Sequence, residues 1–378
     1  MQQRAKNPGS YVATAAFAAL LAMPAALAVM GRAGFDTAFI ENTEHRVPFV
    51  APAVSSGALA TGGWERDAER EIADAFPLRT LLIRANDRAA FLWFGDTASG
   101  QVIRGRDGWL FYGAEERDYL AGKPGDDAIA HVAEVYAARA AWCKAHGIVY
   151  AVLIAPNKST IYVRYMRSGT PDVQPSGVDR LIPLLRARGV TVIDPRAALI
   201  TASQGGEVYS RGDTHWNDAG AYVAYETAVR ALQASGVRDA VPRHAIVSST
   251  ENGPGDLLAL SGVDDIVPNP WVHLTFPSRA RVMSAPSAGD LGTVAAQPYA
   301  TEISDPSLPT LVAFGDSFLD QLRPFFAATF RRAEFRRQLA TESRFDTDVL
   351  ERQKPTVVLQ EFVERNLTFG ATFTPSTR

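Results

Sequence analysis

The stretch TLVAFGDSF, Thr310 to Phe318, decides how the rest of the chain is read. Thr310 to Phe314 form a short apolar run of the kind that makes a buried strand. Gly315 and Asp316 then turn the chain, and Ser317 falls at or just before the start of a helix. A serine in that place is lifted clear of the sheet. Free backbone N–H groups and the positive end of the helix lie close by, and both can stabilise an oxyanion. Taken alone, Ser317 reads most simply as a helix cap. Gly-Asp-Ser-Phe is also not the G-x-S-x-G elbow.

Working outward, three more segments carry the same buried-strand signal: GIVYAVLIAP (147–156), GVTVIDP (189–195) and TVVLQEFV (356–363). Helical patterns lie between them. One spans Asp126 to His146, with Ile129, Val132, Val135, Tyr136 and Trp142 as its apolar positions and Gly147 as its stop. Another covers Gly177 to Arg188. A third runs from an Asn217 cap to Ala234, with Tyr222, Tyr225, Val229 and Leu232 on one face. Continuous apolar strands alternating with helices specify an α/β fold with a parallel sheet flanked by helices. Upstream, Trp64 to Phe94 is helical with a break at Pro77, and QVIRGRDGWLFYG (101–113) reads as a hairpin turning at Asp107-Gly108. Residues 240–309 are rich in Pro and Gly and read as an irregular insertion lobe. The organisation expected is an N-terminal signal segment (1–31), a linker (32–63) and one catalytic-type domain (64–378).

The charge balance bounds the function. Lys plus Arg total 38 against 41 Asp plus Glu, a net charge of -3, which argues against nucleic acid as partner. The single cysteine, Cys143, excludes an intrachain disulfide and any cysteine-based metal site. At the N-terminus, Arg4 and Lys6 precede a run without charge from Asn7 to Gly31. Its stretch Tyr11–Met30 is 20 residues long. As a helix that reaches about 30 Å, the thickness of a bilayer core. The charge pattern puts the N-terminus in the cytoplasm and the body outside. The length favours an uncleaved anchor; Pro24 and Ala26-Leu27-Ala28 favour a cleaved signal peptide. Both readings export the body.

Candidate chemistry gathers at the expected strand ends, where active residues of a parallel α/β sheet collect. In GDTHWND (212–218), Asp213 and His215 are two residues apart and share a side in an extended stretch. A carboxylate beside an imidazole fixes its tautomer and makes a general base. The competing reading is a loop Asp and a structural His, with Trp216 in the core. Two ligands do not make a metal site, and His45, His131, His146, His244 and His273 stand without a motif. In PNKSTIY (156–162), Asn157 could donate to an oxyanion and Lys158 could bind an anion, or the segment is only a turn. Together, Ser317 and Asp213–His215 fit acyl transfer through a serine ester, with no cofactor and no metal.

These blocks resemble a known family. GDSF is similar to the nucleophile block of the SGNH hydrolases, and DTHW to the Asp-x-His-Trp block of the bacterial alginate O-acetyltransferases of the AlgJ/AlgX type. FPLRTLLIRAND, GRDGWLFY, APNKSTIY and PTVVLQEFVERNL extend the resemblance from about Trp64 to Leu367. The resemblance implies an SGNH-hydrolase-like fold with circularly permuted motif order, since the serine here follows the Asp–His pair. It implies Ser317 as nucleophile, His215 as base and Asp213 as its partner. By alignment it adds Arg365 and Asn366 as substrate or oxyanion candidates, against a structural Glu364–Arg365 ion pair. The implied activity is O-acetylation of an exported polysaccharide, alginate or similar. A membrane-bound O-acyltransferase would supply the acetyl group at the periplasmic face of the inner membrane. A deacetylating esterase and a non-catalytic glycan-binding assembly protein are the alternatives. No C-terminal carbohydrate-binding domain is expected after the last strand, which is closer to the AlgJ type. Arg331, Arg332, Arg336 and Arg337 are expected as a basic cluster on the helix after Ser317, either polyanion-attracting or a solvated helix end.

Overall fold

A computed structural model describes residues 63–113, 124–167, 175–244, 247–275, 277–285, 298–338 and 345–367, with scattered positions between 11 and 61. Most of the expected signal segment and linker lie outside these residues. Among the described residues no helix is long and apolar enough to cross a membrane. The chain divides into two compact units, Met1–Ser99 with Ala259–Ile266, and Gly100–Leu258 with Val267–Arg378.

In the first unit, helices α1 (Gly63–Asp74) and α2 (Arg79–Ala89) flank the break at Pro77, and α2 runs on into a π-helical turn, Ala90–Phe94. Gly95 ends it in the left-handed conformation (φ 67°). An Arg88–Asp265 ion pair of 2.5 Å ties α2 to the 259–266 segment.

The second unit opens with a hairpin of β1 (Val102–Arg104) and β2 (Leu110–Tyr112). Asp107 and Gly108 both take positive φ, 53° and 79°. Trp109 N–H donates to the Arg106 carbonyl at 3.0 Å, so the turn is the two-residue type whose twist matches a hairpin. The remaining elements are α3 (Asp126–Ala145), β3 (Val149–Ala155), α4 (Lys158–Ile161), α5 (Gly177–Ala187), β4 (Thr191–Ile193), α6 (Arg196–Ala202) and α7 (Asp218–Ala234). After them come β5 (Val247–Asn252), α8 (Asp256–Leu260), β6 (Pro270–Thr275), β7 (Arg281–Ser284), β8 (Tyr299–Glu302), β9 (Thr310–Gly315), α9 (Leu319–Thr329), β10 (Arg332–Arg337), α10 (Thr347–Gln353) and β11 (Val357–Val363).

Seven strands form one sheet in the order β4-β3-β11-β9-β10-β8-β7. The first five are parallel; β8 and β7 add an antiparallel edge. The alternation of side chains along each strand builds two cores. Ala151, Leu153, Ala313 and Leu359 face α7 and α9. Tyr150, Val152, Ile154, Val312 and Val358 face α3 and α5. The chain leaves β3 toward β4 and β9 toward β10, in opposite directions. The carboxyl ends of β3, β11 and β9 therefore border the crevice where the strand order reverses, the usual site position in such sheets.

The parallel sheet flanked by helices is as expected, with an antiparallel edge added. Within residues 240–309, β7 and β8 complete that edge while β5 and β6 pair antiparallel on their own. One expectation changes. The cluster Arg332, Arg336 and Arg337 lies on strand β10, with Arg331 just before it, because the helix after Ser317 ends at Thr329 and Phe330 is already extended. Arg336 pairs with buried Glu334 at 2.6 Å and Arg337 pairs with Asp320. Their charge is largely spent within the fold.

Helix α7 starts just after the loop that carries Asp213 and His215, and glycine is required there. A Cβ on Gly220 would sit 2.1 Å from the Val208 carbonyl oxygen. Gly220→Ala is expected to cost about 1–3 kcal/mol by overpacking, read from the shift in urea midpoint at constant m. An unchanged midpoint would contradict this packing.

Candidate active site

The Asp213–His215 segment is a loop rather than an extended strand, and every side of it is held. At its base Tyr209 bridges Trp216, and Asn217 N–H donates to the Val208 carbonyl at 3.2 Å. Asn217 then caps α7 by accepting from Gly220 N–H at 3.1 Å. Beneath it, Lys158 is 1% exposed. Its Nζ donates to the carbonyls of Ser210, Arg211 and Asp213 at 3.1, 3.0 and 2.6 Å, and it lies over the rings of Trp109 and Phe111. The expectation that Lys158 binds a substrate anion is corrected here. An ammonium has three donors, and all three serve the loop.

Within the loop, Asp213 Oδ1 accepts from His215 N–H at 2.8 Å and stands 2.7 Å from His215 Nδ1. A carboxylate only accepts, so Nδ1 carries the proton and Nε2 is the basic nitrogen. Nε2 is buried and makes no hydrogen bond among the described residues.

A residue not anticipated from sequence completes this group. Asp256, half-buried at the start of α8, accepts from Thr214 N–H at 2.7 Å and from Thr214 Oγ1 at 2.5 Å. Its Oδ2 lies 3.7 Å from His215 Nδ1, and its own N–H donates to Asp213 Oδ2 at 3.1 Å. Asp213, His215 and Asp256 bring three potential ligand atoms within 4.8 Å of one another. The short Nδ1–Oδ1 separation is a hydrogen bond, and N–H groups occupy both carboxylates, so the set is built to hold a histidine.

The electrostatics follow. Burial works against a charged His215 and Arg365 opposes it too. The hydrogen bond and charge of Asp213, with Asp256 behind, outweigh them and raise its pKa. Burial alone would raise Asp213; the His215 ring and the N–H groups of His215 and Asp256 hold it below the usual carboxylate range. Burial and the charge of Asp213 raise Asp256.

Ser317 follows β9 in a turn. It is partly exposed and precedes α9, whose cap position falls on Phe318. Phe318 links this turn to the histidine loop. Its carbonyl accepts from Trp216 Nε1 at 3.1 Å, and its ring packs on His215 and Trp216 with centroids 4.9 and 5.2 Å apart. Ser317 thus sits one residue from the ring that touches His215, with no hydrogen bond between them. Its N–H makes no hydrogen bond among the described residues.

The ends of β3 and β11 close the site. Val363 pairs with Ala155, which sets Asn157 beside Arg365. Asn157 N–H donates to Glu364 Oε2 at 3.0 Å, and Asn157 Oδ1 accepts from Arg365 N–H at 3.3 Å. The Asn157 Nδ2 group makes no hydrogen bond among the described residues. Glu364 Oε2 also accepts from Thr160 Oγ1 at 2.6 Å. The Arg365 guanidinium lies over Phe318 and Tyr112. Asn366 Nδ2 donates to Asp316 Oδ2 at 3.3 Å, so it braces the turn that carries Ser317.

Comparison with known proteins gives a consistent picture. Residues 102–299, just over half of the chain, match the family described as SGNH hydrolase-like domain, acetyltransferase AlgX. The chain is 28% identical over 214 residues to a probable alginate O-acetylase AlgJ of Pseudomonas syringae pv. tomato, covering 56% of this chain and 54% of that protein. It therefore spans about half the length of that relative. A probable alginate O-acetylase AlgJ of Azotobacter vinelandii is 24% identical over 369 residues, covering 93% and 87%. Among solved structures, the O-acetyltransferase domain of Pseudomonas putida AlgJ aligns with a TM-score of 0.50 and 21% identity over 73% of this chain and 94% of that one. Bacillus cereus PatB1 aligns with a TM-score of 0.52 and 12% identity over 71% and 98%. These structural likenesses show the fold.

Asp256 supplies a test of the local field. Asp256→Asn keeps an acceptor for Thr214 but removes a charge that raises His215. The pKa of His215, followed by NMR of its ring nitrogens, is expected to fall below the wild-type value. An unchanged or higher value would show that Asp256 does not act on the imidazole.

Proposed function

Because the chain belongs to the family of SGNH hydrolase-like AlgX acetyltransferase domains, we propose that it transfers acetyl groups to hydroxyls of an exported polysaccharide, alginate or similar, through Ser317. The observation that carries this reading is the Asp213-oriented His215, whose ring packs on Phe318, next to the candidate nucleophile.

In the proposed cycle, Ser317 Oγ attacks the acetyl carbonyl of the donor while its proton passes to His215 Nε2. Asp213 holds the Nδ1–H and stabilises the imidazolium. Negative charge on the carbonyl oxygen is met by the Ser317 N–H and by Asn157 Nδ2. The tetrahedral species collapses to acetyl-Ser317, and the leaving group takes the proton from His215. A sugar hydroxyl then gives its proton to His215 and attacks the ester. The second tetrahedral species expels Ser317, which recovers its proton from His215. Arg365, whose guanidinium lies over Phe318 and Tyr112, is the proposed substrate contact. The Ser317–His215 hydrogen bond forms as substrate seats, since such bonds are often long in the free enzyme. The N-terminal run without charge supports a periplasmic location with the Tyr11–Met30 segment as inner-membrane anchor. A membrane-bound O-acyltransferase is the proposed acetyl source.

A soluble aryl acetate and oligosaccharide acceptors test the reading. Mass spectrometry is expected to show acetyl on sugar with the wild-type chain, and Ser317→Ala is expected to lose at least about 10³-fold in rate, the scale of removing a member of such a triad. Free acetate without acetyl-sugar would assign a deacetylating esterase. Unchanged acetylation by Ser317→Ala would assign the chemistry elsewhere. The rate should also rise with pH through the elevated pKa of His215, because the base works only when deprotonated.

A further inference from the structure

The cycle above leaves Glu361 unused. It lies in β11 on the face that carries Val357, Leu359 and Val363, beneath the turn that follows β9, and is 0% exposed. Glu361 Oε2 accepts the Asp316 N–H at 2.9 Å. Oε1 is buried with no hydrogen-bond partner among the described residues. The fit above it is close: a Cβ on Gly315 would lie 2.4 Å from Glu361 Oε2. Asp316 continues the scaffold. Its Oδ1 accepts Phe318 N–H at 3.0 Å and its Oδ2 accepts Val363 N–H at 2.9 Å. Of three successive amides, those of Asp316 and Phe318 are therefore engaged inward, and the Ser317 N–H is left.

We infer that Glu361 is a positioning residue: by holding the Asp316 N–H from below, it fixes the turn so that the Ser317 N–H faces the carbonyl oxygen of the acyl group. This rests on the acyl-transfer reading of the site. The groups facing Glu361 are Asp316 from the turn, Asp320 from α9 and Arg337 from β10. Burial and the Asp316 charge raise Glu361 well above the carboxylate range, against the Asp316 N–H and Arg337. Burial thus favours the neutral form of Glu361. An ionised carboxylate there would leave one oxygen buried and unsolvated, at high cost. It would also set a negative charge close to the developing oxyanion. A neutral acid grips the turn without opposing it.

Glu361→Gln and Glu361→Leu in the full chain separate the possibilities. Gln retains a neutral acceptor for Asp316; Leu keeps an approximate volume and loses it. With an aryl acetate as donor, Glu361→Gln is expected to stay within about threefold of wild type. Glu361→Leu should lose about 10²-fold in kcat with KM nearly unchanged, the scale of misplacing one oxyanion donor. Infrared difference spectra should show a protonated carboxylic acid band at pH 7 in the wild type that is absent from Glu361→Gln. Equal losses in the two variants, wild-type kcat in Glu361→Leu, or no protonated acid band would overturn the inference. A wild-type chain that turns over no acetyl ester defeats the acyl-transfer reading itself. Hydrogen exchange then decides the clamp: faster exchange at the Asp316 amide in Glu361→Leu supports it, and unchanged exchange overturns it.

Discussion

One indole N–H joins the two halves of the site. Trp216 donates to the carbonyl of Phe318 across 102 residues of sequence, and both residues are fully buried. Each lies next to a residue of the proposed cycle: Trp216 follows His215, and Phe318 follows Ser317. A buried hydrogen bond between neutral groups contributes only about 1 kcal/mol to stability. Its larger effect is geometric, because neither partner can move without leaving a buried polar group unpaired. With the Phe318 ring packed on His215, the bond sets how closely the His215 loop and the Ser317 turn approach.

Around that link the protein buries ionisable groups as scaffolding. Lys158 gathers three carbonyls under the histidine loop, Glu364 binds the Asn157 N–H and Thr160, and Asp316 and Glu361 brace the Ser317 turn from two sides. Buried charges are weak contributors to stability because desolvation offsets their attraction. Their concentration at the carboxyl ends of β3, β9 and β11 therefore points to positioning. A loop of irregular backbone holds a fixed shape only when its N–H and carbonyl groups have partners, and here side chains supply them.

The central strands were legible because they are covered on both faces. β3 and β9 read as unbroken apolar runs, and the Asn217 cap of α7 and the Asp107-Gly108 turn follow from local chemistry that tertiary packing did not override. Strand β10 was missed for the opposite reason. Its arginines suggested a solvated helix end, while Ala333, Phe335 and buried Glu334 are ordered by pairing with β9 and β8. Asp213, His215 and Ser317 stand out in the sequence as motifs, but what surrounds them does not. Asp256 stands alone in sequence between Gly255 and Leu257, and only the fold brings it to Thr214 and His215. Lys158 looked like an anion binder because nothing local shows the three carbonyls above it. The polar pair Gln360-Glu361 inside an otherwise apolar strand was the one available sign of a buried acid.

The central claim is that Ser317 carries the acetyl group and that His215 is the base that activates it. Acid quenching during turnover of an activated acetyl ester, followed by peptide mass spectrometry, tests it most directly. The account predicts an acetyl ester on the peptide containing Ser317, absent in Ser317→Ala and strongly reduced in His215→Ala. Turnover with no acetyl on that peptide, or with an equal yield in His215→Ala, would contradict it.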